Sequence, residues 1–86
     1  MMNMRTDENY LVISDFCLAI TLACKGFPVL GLDHSNPKRI GFQLNNSDQL
    51  QKVIQNYWEA KLLVSPQEFY AQQRALKARM YSEGQR

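Results

Sequence analysis

The sequence predicts an α+β fold, a small antiparallel sheet packed with three helices in the order β-α-β-β-α-α. Three observations predict it. "YLVIS" (10–14) and "RIGFQL" (39–44) are short β-branched or alternating apolar runs. "DFCLAITLACK" (15–25) and "NNSDQLQKVIQNYWEA" (45–60) place apolar residues at helical spacing. "SPQE" (65–68) puts Ser65, Pro66 and Glu68 at the three places that open a helix.

The elements follow in chain order. Residues 1–9 are polar and rich in Met and Asn, and are expected to be disordered; a single domain is expected over 10–82, with a frayed tail at 83–86. Residues 10–14 are expected as a strand that joins the sheet. Ser14 is the expected cap of the first helix, with Asp15 in its first turn and Gly26 as its stop. This helix is apolar on nearly every side, with Thr21 and Lys25 on one narrow polar face, so it is either central to the fold or completed by a second copy. Cys17 and Cys24 lie seven residues apart on it, roughly 10 Å along the axis, too far for a disulfide, and are expected as buried thiols.

Residues 28–44 are expected as a hairpin turning at "HSNP" (34–37). Ile40, Phe42 and Leu44 share one face, and Leu30 and Leu32 join it if Leu32 pairs with Ile40 or at an equivalent even offset. That register sets Asp33 against Arg39 and Gly31 against Gly41. Two facing glycines leave bare backbone, which predicts close approach by small residues, a ligand or a protein partner. In the second helix, capped by Asn46 or Ser47, Leu50, Val53, Ile54, Tyr57 and Ala60 form the core face, with Trp58 at its boundary.

The last helix, roughly 66–82, has three faces. Phe69, Leu76 and Met80 face the core, and Ala71, Ala75, Ala78 and Ser82 form a smooth side. Tyr70, Arg74, Lys77 and Tyr81 recur at i, i+4, i+7 and i+11 and form one stripe. Aromatic rings interleaved with cations suit nucleic acid, because rings stack on bases and cations pair with phosphates. The same pattern also suits a core edge, where rings and alkyl stems cover apolar neighbours. Arg79 points to the opposite side. Lys38 and Arg39 at the hairpin tip extend the positive surface if the tip lies nearby.

The net charge of +2 is too small to announce a polyanion partner by itself. It is unevenly placed: residues 1–68 hold six basic and seven acidic side chains, so the excess sits at the C-terminus. No apolar run reaches the roughly 18–20 residues of a membrane span, and no signal-peptide core opens the chain, which predicts a cytoplasmic protein without membrane contact. Catalysis has little support. His34 is the single histidine, in a turn, without a partner at metal-ligand spacing, and no phosphate loop, dinucleotide fingerprint or nucleophile elbow occurs. No enzyme, cofactor or metal site is expected.

"SDFCLAITLACKGFPVLGLDHSNPKRIGFQL", then "YW", then "SPQEFYAQQRALKARMYS", resembles a family of small bacterial and mobile-element proteins known as a domain of unknown function. The resemblance rests on Asp15, Leu18, Ala19, Gly26, Phe27, Leu30, Gly31, Leu32, Phe42, Tyr57, Trp58, Phe69, Leu76, Lys77 and Tyr81, and spans residues 10–82. Gly41 departs from it, since the second hairpin strand of that family is more β-branched. The resemblance implies no activity and carries over no catalytic residue; its phage and plasmid setting implies nucleic-acid transactions or inhibition of a host system. Two functions compete. One is a non-enzymatic accessory protein that binds DNA or RNA through Tyr70, Arg74, Lys77 and Tyr81, with Lys38 and Arg39. The other is a protein-interaction module, a homodimer or an adaptor or inhibitor of a larger machine, that uses Gly31, Gly41 and the apolar first helix. The stripe favours the first.

Overall fold

The computed structural model describes residues 4–6 and 10–84. Among them the elements are β1 (Met4–Thr6), β2 (Tyr10–Ile13), α1 (Phe16–Cys24), β3 (Gly31–Asp33), β4 (Gly41–Asn45), α2 (Asp48–Trp58) and α3 (Pro66–Gly84). The fold is α+β, with three helices and an antiparallel sheet of order β1-β2-β4-β3. The expected order holds with one strand added in front. Met4–Thr6, expected to be disordered, pairs with the edge of β2 that β4 leaves open. Its backbone pairs there along one edge, although "MRT" offers no apolar alternation to announce a strand. Residues 1–3 and 7–9 of that expected segment lie outside the described residues. At the other end the expected frayed tail is helical through Gly84; residues 85–86 lie outside the described residues.

Alternation in the two central strands builds the core. Leu11 sits opposite Leu44 and Ile13 opposite Phe42, all four essentially buried. On that floor lie Leu18, Ala19, Ile20 and Leu22 of α1 and Leu50 and Ile54 of α2, with the Phe16 and Phe42 rings 6.0 Å apart. Leu76 adds α3 to the same cluster. The middle of α1, Leu18 to Leu22, is therefore covered within one chain: the sheet, α2 and α3 all pack against it or its cluster. Thr21, buried among these, donates from Oγ1 to the Cys17 carbonyl at 2.9 Å. Cys17 itself is exposed and Cys24 half-buried, so the expectation of two buried thiols is corrected at Cys17.

The helix ends follow local chemistry. Asp15, not Ser14, caps α1, accepting from the Leu18 N–H at 3.0 Å. Ser47 caps α2 through the Leu50 N–H at 3.0 Å. Past α1, Gly26 adopts φ 94°, the Gly26 N–H reaches the Ala23 carbonyl and the Phe27 N–H the Leu22 carbonyl, a Schellman closure. The end of α2 is closed by the same pair of bonds, Ala60 to Tyr57 and Lys61 to Asn56, with Ala60 at φ 60° where glycine is usual. Ala60 is thus exposed and outside the helix, not on its core face.

The hairpin register is corrected by two residues. Leu32 pairs with Phe42, Gly31 with Gln43 and Asp33 with Gly41. The connection is longer than "HSNP" because two side chains staple it. The Asp33 carboxylate accepts from the Ser35 N–H and the Asn36 side chain from the Lys38 N–H, both at 2.9 Å. These Asx turns hold residues 34–40 out of the ladder, so Asp33 never faces Arg39. The shift is even, so Phe42, Leu44 and Leu32 keep their common face, with Ile40 packed beside them. Leu30 precedes β3 and is nearly half-exposed. No helix among the described residues is long and apolar enough to cross a membrane.

Candidate nucleic-acid interface

The α3 helix starts where its sequence places it: Ser65 Oγ accepts from the Glu68 N–H at 3.0 Å, and Pro66 is the first helical residue. Nineteen residues make a rod of roughly 28 Å. Little of it is buried. Leu76 is the one fully buried side chain among the described α3 residues, and Phe69 and Met80 are half-buried against the core. Arg79 anchors the same side: its Nη1 donates to the Val29 carbonyl at 2.6 Å, and its guanidinium meets Glu83 at 3.5 Å. Its charge is therefore engaged away from the stripe, a role the sequence did not signal beyond its direction.

The stripe itself faces out. Tyr70 is 59% and Tyr81 68% exposed, and Arg74 and Lys77 between them are exposed as well. More than half of each ring is therefore open to solvent, and the remainder lies against the helix surface. The Arg74 guanidinium carbon sits 5.7 Å from the centre of the Tyr70 ring, a cation–π contact worth about 0.5–1 kcal/mol at an exposed site. From residue 69 to 82 the helix carries no carboxylate.

A family model described as a domain of unknown function (DUF5659) matches residues 8–82. The chain belongs to this family. No curated protein and no solved structure matches it. The matched segment begins two residues before β2 and reaches the last turn of α3, and so contains the stripe, whereas β1 lies ahead of it.

The other sequence-derived positions of this DUF5659 domain do not join the stripe. Lys38 and Arg39 are exposed on the connection 34–40, at the far end of β3 from the Val29 anchor of α3. Gly31 and Gly41, expected as a facing pair, do not face each other, since Gly31 pairs with Gln43 and Gly41 with Asp33. A Cβ on Gly41 would come within 2.6 Å of Val12 Cγ1 and 3.2 Å of Asp33 Cβ, and one on Gly31 within 3.1 Å of Gln43 Oε1. Ala71, Ala75, Ala78 and Ser82, the smooth side of α3, are exposed and do not cover the glycines.

Packing shifts two titratable groups elsewhere in the domain. Burial first, then a hydrogen bond with Cys17 and the nearby Asp15 carboxylate, push the Tyr57 phenol well above its ordinary range. Burial, with the charge of Glu68, raises the Cys24 thiol, and Lys25 opposes the shift. Trp58 is half-exposed and stands edge-on to Tyr57, with ring centres 4.8 Å apart. Leu63 in the apolar link is 85% exposed while its carbonyl accepts from Lys25 Nζ. A groove between α1 and α3, lined by Ala23, Val29, Ala75, Leu76 and Arg79, holds about 220 Å³. That is below the range of roughly 300–1,000 Å³ typical of small-molecule sites.

Proposed function

We propose that this DUF5659 protein is a small non-enzymatic accessory protein of a bacterial or mobile-element system, working in the cytoplasm and binding DNA or RNA through the outer face of α3. The observation that carries the reading is the exposure of Tyr70, Arg74, Lys77 and Tyr81 on one acid-free stripe. Cations there meet phosphates without a competing carboxylate, and rings beside them offer apolar faces to bases. Lys38 and Arg39 act as peripheral positive charge that attracts the polyanion. The rival reading, an interaction module, has less to rest on once the middle of α1 is covered within the chain and Gly41 is filled by Val12 and Asp33.

Light scattering with and without a mixed-sequence oligonucleotide, at low and at moderate salt, tests the proposal. A gain in mass that fades with salt is expected, because each phosphate contact releases counterions. Arg74→Glu with Lys77→Glu abolishes the gain, while Lys52→Glu with Lys61→Glu, an equal charge change elsewhere, leaves most of it. No salt-sensitive gain, or equal loss from both pairs, overturns the assignment of this face.

A further inference from the structure

Resting on the nucleic-acid reading above, we infer that the α3 stripe takes a single strand and holds it by its bases as much as by its phosphates. The division of labour along the stripe points there. Its charge is sparse: Arg74 and Lys77 are the two cations, and Arg79 is turned away to the Val29 carbonyl and Glu83. Two phosphate contacts give a shallow salt dependence, with a slope of about −1.4 for a single strand, and little affinity at moderate salt. The rings must then supply what the cations do not.

Tyr70 and Tyr81 bracket the cations, eleven residues or about 16 Å apart along the helix, a span that a few nucleotides of an extended strand can follow. Both rings stand 59% or more exposed on a convex rod. In a duplex the base faces are already stacked on one another and meet no such ring; in a single strand they are available. Arg74 lies over the Tyr70 ring, 5.7 Å from its centre, and the pair makes one cationic stacking site, where a base stacks while the guanidinium edge reaches a neighbouring phosphate. Tyr81 is the second platform and Lys77 the point charge between them. Phosphate-only binding would leave the two tyrosines without a part in the contact.

Fluorescence anisotropy with three labelled probes decides this: a twelve-nucleotide oligothymidine, a duplex of the same length, and an abasic strand with the same phosphates. The single strand is expected to bind about tenfold or more tighter than the other two. Tyr81→Ala is expected to weaken it about tenfold with an unchanged salt slope, and Tyr81→Phe to retain it, since the ring and not the hydroxyl stacks. Arg74→Gln is expected to lower the slope. Equal binding of the abasic strand, tighter binding of the duplex, or an indifferent Tyr81→Ala variant overturns the stacking role and leaves nucleic-acid binding standing. Absence of binding to all three probes overturns both readings.

Discussion

Ala60 holds a backbone conformation, φ 60°, that an L-residue with a Cβ adopts at a cost of about 1 kcal/mol or more. It does so because the two bonds that close α2, Ala60 to Tyr57 and Lys61 to Asn56, require a left-handed residue at that place. Gly26 closes α1 in the same way without that strain, and glycine made its position legible in the sequence. Alanine gave the opposite signal, since it is the best helix former, and the sequence therefore extends α2 two residues too far. Ala60→Gly is expected to stabilise the domain by about 0.5–1 kcal/mol, read as a rise of several degrees in Tm. An unchanged or lower Tm would mean that the left-handed geometry carries no strain there. Gly41 shows the converse case: its type was legible as a close-approach signal, and the approaching atom within the chain is Val12 Cγ1 of the neighbouring strand.

At the scale of elements, periodic segments were legible and pairings were not. The expected strand 10–14, the first two helices and the α3 cap stand within a residue or two of expectation, because alternation, helical spacing and capping are local. The β3–β4 register depends on how many residues Asp33 and Asn36 take out of the ladder, which residue types alone leave open. The strand β1 was illegible because its three residues are held by the free edge of β2, not by a pattern of their own. The α3 stripe was visible as a spacing, yet its exposure depends on how shallowly α3 docks. Leu76 and the Arg79 anchor largely set that docking. Arg79→Met keeps the stem and removes the bond to the Val29 carbonyl, and is expected to cost about 1 kcal/mol. Amide hydrogen exchange should then quicken along α3 while β2 and β4 stay protected, because α3 opens as a unit of its own. Uniform loss of protection in all three elements would show instead that α3 unfolds only with the sheet.

For the whole molecule, the helices gather on the apolar face of the sheet, and two of the titratable groups drawn into that packing set its response to alkali. Tyr57 is raised from an ordinary value of 10.0 by burial, by hydrogen bonding with Cys17 and by Asp15, and Cys24 is raised from 9.0 by burial and by Glu68. Both are neutral when protonated, so the folded chain keeps these protons to a higher pH than the unfolded chain does. Their contribution is complete below the unfolded values and is lost as pH climbs through the folded ones. Stability is therefore expected to hold up to about pH 9 and to fall beyond it, with Cys24 acting first and Tyr57 from about pH 10 upward. Urea midpoints taken through this range should decline in wild type. In Tyr57→Phe the decline above about pH 10 should be shallower, since the ring remains and its proton does not. A variant that declines as steeply as wild type would move the cause away from Tyr57.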